Sequence, residues 1–264
     1  MNPKYEALKK AISGYGKVAV AFSGGVDSTL LLKAAVDALG GENVLALTAC
    51  SALIPKREER EAIDFAREFG VRQELFEFSF EEFAHNPQDR CYLCKNALYA
   101  EIFRLAGEEG IAVVLEGSNL DDQDDYRPGW KAVRERGVKS PLLEVGLSKA
   151  EVRALSRELG LPTWNKPSFA CLSSRIPFGD EITLDRLAMV DKAEQFLLDA
   201  GFRQVRVRLH GPIARIEVPS EEMDALFSFA KEGTLVPYFK QLGFTFVTLD
   251  LDGYRTGSLN PVDE

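Results

Sequence analysis

The chain has 264 residues, 45% of them hydrophobic and 28% charged, with a formal net charge of −9, enough to bury a full core and to divide into two domains. That acidity opposes a general attraction to nucleic-acid backbone, and no apolar run reaches the roughly 18 residues of a membrane span. The N-terminal "MNPKYEALKKAISGYGK" is an amphipathic helical pattern without a signal-peptide core, and four cysteines are too few for a secreted disulfide scaffold, so the expectation is a cytoplasmic protein with neither membrane nor nucleic-acid partners.

Five apolar residues, Val18 to Phe22, predict a short buried strand, and Leu30, Leu31, Leu32, Ala34 and Ala35 suit the buried side of the helix that follows. Between them lies Ser23-Gly24-Gly25-Val26-Asp27-Ser28. Glycines let backbone and ligand approach closely, and the first turn of a helix leaves amide groups unpaired, so this turn is an anion site. Next come a strand at Val44 to Thr48, a helix near Lys56 to Glu68, a strand at Gln73 to Phe78, a helix around Leu93 to Ala106 and a strand at Ile111 to Leu115. "SKAEVRALSRELG" then opens with Ser148 and, three residues on, Glu151, the pattern of a capping box.

Strands alternating with helices predict an α/β fold with a parallel, doubly wound sheet, in which ligands sit beyond the carboxyl ends of the strands. The glycine turn lies at that edge, and so does "EGSNLDDQDDYRPGW" (116 to 130). From about Pro167 the order becomes α-β-β-α-α-β, with "QVRVRLH" and "IARIEV" alternating as an antiparallel pair, which predicts a small α+β domain. The expected division is 1–165 and 166–264, joined by the proline- and serine-rich "LPTWNKPSFACLSSRIPFGD".

Neither the G-x-x-x-x-G-K-[ST] pattern nor G-x-G-x-x-G is present. Ser-Gly-Gly-Val-Asp-Ser between a strand and a helix instead resembles the PP-loop of the N-type ATP pyrophosphatases, the alternative being a turn that serves strand–helix packing alone. The resemblance implies a loop around the β- and γ-phosphates of ATP, cleavage between the α- and β-phosphates, and an adenylate that activates a substrate oxygen. The ATP-binding residues it implies are Ala21, Ser23, Gly24, Gly25, Val26, Asp27, Ser28, Thr48 and Gly117. Asp27 and Ser28, a carboxylate and a hydroxyl, suit Mg²⁺, although Ser28 also reads as a helix cap.

PP-loop enzymes differ in the nucleophile that displaces AMP. An ammonia-generating glutaminase has no room here, whereas "DRCYLCK" (Cys91, Cys94) and "SFACLSSRIPFG" (Cys171) point to sulfur. With "EGSNLDDQDDYRPG" and "GYRTGSLN", these stretches resemble the LarE family, pyridinium-3,5-biscarboxylic acid mononucleotide sulfurtransferases of nickel-pincer nucleotide synthesis. The resemblance implies adenylation of each carboxylate of a small mononucleotide substrate and replacement of AMP by sulfur. In one branch of that family a single cysteine, here Cys171, gives up its sulfur; in another, three cysteines hold a [4Fe-4S] cluster. Cys91, Cys94 and Cys171 suit the cluster branch, because three thiolates leave one iron open. A zinc or redox pair is the plain alternative for C-x-x-C, but a closed zinc site lacks further ligands here. Cys50 is expected as a buried small hydrophobe.

Asp121, Asp122, Asp124 and Asp125 form either a metal site, with Asp122 the Mg²⁺ candidate, or a solvated turn. Arg206 and Arg208 alternate with valines and project from one face of a strand, where with Ser174 and Arg175 they suit a mononucleotide phosphate; the alternative is a solvated edge strand. Glu194 matches an acidic catalytic position of the family, against the alternative of an exposed helix glutamate. A tRNA thiolase of the same superfamily would need a basic track that a charge of −9 opposes, and a non-catalytic nucleotide-binding module leaves the Cys171 segment without a purpose. Family resemblance also implies a homo-oligomer, a hexamer.

Overall fold

The computed structural model describes residues 2–123, 129–168 and 170–255, and Asp124, Asp125 and most of "GYRTGSLN" fall outside them. The chain forms two compact units, Met1–Phe83 with Asp89–Phe169, and Ala84–Gln88 with Ala170–Glu264.

The first unit runs α1 (Pro3–Ser13), β1 (Val18–Ala21), α2 (Val26–Leu39), β2 (Val44–Cys50), α3 (Lys56–Glu68), β3 (Arg72–Glu77), α4 (Arg90–Glu108), β4 (Val113–Leu115), α5 (Gly129–Glu135), α6 (Pro141–Glu144) and α7 (Lys149–Glu158). Its four strands are all parallel, in the order β3-β2-β1-β4. The period of two along β1 and β2 sends Val18, Val20, Val44 and Ala46 into a core with α1, α2, α3 and α7, while Ala19, Leu45 and Leu47 meet α4 on the other face. This is the doubly wound PP-loop architecture. Because β2 and β4 flank β1 on opposite sides, the loops after β1 and β4 bound the crevice where such sheets take ligands.

The fourth strand is shorter than its apolar run suggests. Gly110 takes a left-handed φ of 68° and the Ile111 amide donates to the Ala106 carbonyl at 2.8 Å, so Ile111 closes α4 in a Schellman motif instead of extending the sheet.

In the second unit α8 (Leu184–Asp199), α9 (Met223–Lys231) and α10 (Leu235–Leu242) accompany β5 (Arg206–His210), β6 (Ile213–Glu217) and β7 (Phe246–Leu249). β5 and β6 pair antiparallel, and β7 adds parallel to β6. Phe196 stacks on Tyr238 at 4.3 Å and meets the edge of Phe239, which gives these helices an aromatic core. Ala84–Gln88 joins this unit through the buried Asn86, whose side-chain amide donates to Pro177 O at 2.7 Å and whose carbonyl accepts from Gly179 N.

Candidate active site

In the first unit the turn after β1 is shaped by its own hydroxyls. Ser28 Oγ donates to Gly25 O at 3.2 Å and lies 3.1 Å from Ser23 Oγ. Gly25 is the N-cap of α2 and offers no side chain to the first turn, so the amides of Val26, Asp27 and Ser28 keep their hydrogen-bonding capacity for a ligand. Gly24 has φ 69°, and a Cβ there would sit 3.0 Å from Ala62 of α3. A Cβ on Gly117, after β4, would sit 3.0 Å from Ser28 N. Two glycines therefore hold the start of α2 between α3 and the β4 loop. Ala21 ends β1. Thr48 is buried and spends its hydroxyl on the fold, donating to Phe22 O at 2.8 Å and accepting from Gln73 Nε2 at 2.9 Å.

Asp27 stands in the first turn of α2 with both carboxylate oxygens engaged, one by Asn119 Nδ2 at 3.1 Å and the other by Lys149 Nζ. Lys166 Nζ donates to Gly24 O at 3.1 Å and pairs with Glu58 and Glu61 of α3 at 2.9 and 2.5 Å. Burial pushes the Glu58 carboxyl up, against the pull of Lys166. Sequence reading passed over both lysines, because neither belongs to a motif and each meets the loop across more than 120 residues of chain. Asp122 accepts from the Asn119 amide at 2.9 Å and Asp121 from the Lys149 amide at 3.1 Å, so these two acids organise the turn after β4. Glu116, buried beside them, accepts from Ser118 Oγ at 2.7 Å and from Ser140 Oγ.

Cys91 and Cys94 lie in the first two turns of α4, the former exposed and the latter partly buried, and Cys171 is exposed in the second unit. Cys50 is not the fully buried hydrophobe expected: it is partly exposed at the end of β2, where desolvation and Glu59 push its thiol up.

Around Cys171 the second unit holds a dense set of buried charges. The Cys171 carbonyl accepts from Ser174 N at 3.0 Å, Ser174 Oγ at 2.8 Å and Arg175 Nη1 at 2.9 Å, and its sulfur lies 2.9 Å from Ser173 Oγ. Arg175, with no exposed surface, makes a two-point pair with Glu194 at 2.9 Å on both sides. Glu194 also accepts from Val207 N at 2.9 Å. It is therefore buried, where an exposed helix residue was the plain alternative. Desolvation pushes its carboxyl up, but Arg175 and Arg206 together hold it below the usual range.

Arg208 pairs with Glu217 at 3.1 and 2.9 Å and donates to Ser174 O at 2.8 Å. Arg206 is buried, lies over the Tyr254 ring at 5.2 Å, and is pushed down to about 10 by burial and by Arg175 nearby. β5 is an edge strand, as its alternation allowed, but its arginines are not solvated. Among the described residues no three His, Cys, Asp or Glu side chains stand together as a ready metal site, and no helix is long and apolar enough to cross a membrane.

Residues 4–89, which carry the glycine turn, match the NAD synthase family model. Along 30% of the chain and 31% of the relative, the sequence is 36% identical to the NH(3)-dependent NAD(+) synthetase of Methanopyrus kandleri. Similarity over nearly the full length is higher. The chain is 43% identical to an uncharacterised protein of Synechocystis sp., covering 99% of one and 98% of the other. It is 41% identical to the pyridinium-3,5-bisthiocarboxylic acid mononucleotide synthase of Lactiplantibacillus plantarum, covering 97% and 94%. Identity of that degree over nearly the whole of both chains makes this chain a member of the LarE family of PP-loop ATP-dependent sulfurtransferases.

Proposed function

We propose that the chain acts on pyridinium-3,5-biscarboxylic acid mononucleotide and converts its ring carboxylates to thiocarboxylates. The observation that carries the reading is the 41% identity, over 97% of the chain, to a protein named as the synthase of the bisthiocarboxylic acid mononucleotide. A carboxylate oxygen attacks the α-phosphorus of ATP, the bond to the bridging oxygen breaks and pyrophosphate leaves with the electron pair. A sulfur nucleophile then displaces AMP from the acyl carbon. Ser23 to Ser28 take the triphosphate on backbone amides, with Ala21, Thr48 and Gly117 around the nucleotide.

Asp27 already receives an ammonium on one oxygen, which is chemistry suited to a cation, and Asp27 with Ser28 would hold Mg²⁺ there, Asp122 being a further oxygen donor. Arg206, Arg208 and Ser174 take the mononucleotide phosphate, and Arg175 with Glu194 supports the Cys171 segment. Cys91, Cys94 and Cys171 are donors of the right type for an iron–sulfur centre; a [4Fe-4S] cluster on three thiolates would supply an iron open to a further sulfur ligand. The same kinship suggests a cytoplasmic homo-oligomer, a hexamer.

Anaerobic reconstitution tests the sulfur source. Wild-type protein should bind about four irons per chain, and Cys91→Ala, Cys94→Ala or Cys171→Ala should each lose most of them, while Cys50→Ala should not. A chain that takes up no iron and emerges from one turnover lighter by one H₂S at Cys171 would overturn the cluster assignment and make Cys171 the donor consumed. Retention of both carboxylates after incubation with ATP and substrate would overturn the substrate itself.

A further inference from the structure

The glycine turn offers amides to a ligand, yet one of its carbonyls is held by a side chain from far along the chain. Lys166 Nζ meets three acceptors, Gly24 O at 3.1 Å, Glu58 at 2.9 Å and Glu61 at 2.5 Å. An ammonium has three hydrogens to give, so none is left for a phosphate. Two carboxylates of α3 around one ammonium also repel an incoming polyanion, and the lysine side chain is only 9% exposed. Its backbone is fixed from α7, where Arg153 donates to Lys166 O at 2.8 Å and to Trp164 O at 2.9 Å. Lys166 is thus a fixed post that meets the loop at a single atom.

That atom lies in the peptide between two glycines. In a planar trans peptide the carbonyl and the amide point opposite ways, so a Gly24 carbonyl held against α3 turns the Gly25 amide to the other side. Within the loop that amide has only a long contact, 3.4 Å to Ser23 Oγ. Gly24 has φ 69° and Gly25 φ −79°. Rotating the peptide between them by half a turn would exchange carbonyl and amide and carry Gly25 to positive φ, which glycine tolerates where other residues do not. The flipped loop is therefore sterically open to this sequence, and the lysine opposes it.

Resting on the ATP reading above, we propose that Lys166 is a positioning residue: by holding the Gly24 carbonyl it keeps the Gly25 amide directed at the phosphates of ATP and the flipped loop unpopulated. It touches no phosphate and transfers no proton. Its effect is to fix a donor before the ligand arrives.

Calorimetry on the full chain with ATP, pyrophosphate and AMP tests this. Lys166→Met should weaken ATP and pyrophosphate about ten-fold and leave AMP within about two-fold. Because that variant also leaves the buried Glu58 carboxylate unpaired, Glu58→Met combined with Lys166→Met is the second variant. It should regain most of the lost Tm while ATP stays about ten-fold weaker than in wild type; ATP affinity that returns with Tm would reduce the lysine to charge balance and overturn the proposal. Unchanged ATP affinity in Lys166→Met, or an equal loss for AMP, also overturns it. A wild-type chain that binds neither ATP nor pyrophosphate overturns the ATP reading, and the lysine role with it. Isotopic labelling of glycine nitrogen in the wild type gives a readout that no folding defect can obscure. Pyrophosphate should move the Gly25 amide proton downfield, as a new hydrogen bond to an anion does; an unmoved Gly25 amide with pyrophosphate bound overturns the proposal.

Discussion

The glycine turn of the first unit and the charged interior of the second solve opposite problems. At the start of α2 the polar groups are mainly backbone amides, left unpaired by an N-cap glycine and held in place by close backbone packing. Around β5 the polar groups are ionised side chains: Arg175, Glu194, Arg206, Arg208 and Glu217 are all nearly or wholly buried. Backbone amides without a partner take a polyanion with nothing to displace, whereas a phosphate that reaches Arg208 enters a set of charges already paired. A buried scaffold needs every charge matched, because an unmatched one is costly. The comparison shows why removing one carboxylate should destabilise the fold, whereas adding a methyl group to a glycine should disarm the loop.

The largest expected effect is Glu194→Ala. It leaves the fully buried Arg175 guanidinium without its two-point partner and should cost about 3–5 kcal/mol of stability, read as a lower midpoint in urea. Acid should do the same more gradually. The folded-state pKa of Glu194 lies below its unfolded value, so its stabilisation is fully present above the unfolded pKa of about 4.3 and is lost as pH falls through the lower folded value. Thermal melts of the wild type from pH 7 downward should show that loss below about pH 4, and Glu194→Gln should flatten it.

Gly24→Ala should come next. A side chain at φ 69° costs about 1–2 kcal/mol and its Cβ meets Ala62 at 3.0 Å, so ATP affinity should fall together with a modest drop in Tm. Gly117→Ala sharpens the contrast. It has no left-handed φ to strain, but its Cβ would press on Ser28 N, so KM for ATP should rise about ten-fold or more with Tm nearly unchanged; a large Tm loss would show that the contact supports the fold instead of the loop. The smallest effect should be Arg104→Ala. Its carboxylate contacts, 2.6 Å to Glu101 and Glu108, are shorter than the 2.9 Å of the Arg175 pair, but Arg104 and Glu108 are exposed and Glu101 is only half-buried, and a melt should not distinguish the variant from wild type. Burial, not distance, decides what an ion pair contributes.

The sequence alone determined what depends on near neighbours. Apolar runs and their period placed the strands of both units and most of their helices, though not the short α5 and α6, Ser148 with Glu151 forms the capping box its spacing suggested, and a turn of six residues between a strand and a helix carried the resemblance to the PP-loop. Ile111 was misplaced only because a left-handed glycine ended a helix inside an apolar run. Tertiary structure alone decided what depends on distant partners. Whether Arg208 is solvated or paired turns on Glu217 across a strand pair, and Glu194 is internal because α8 packs its face against β5 and receives the Val207 amide. Lys149 and Lys166 reach the nucleotide loop from beyond the sheet. A lone lysine or glutamate carries no periodicity, and its partner is chosen by folding.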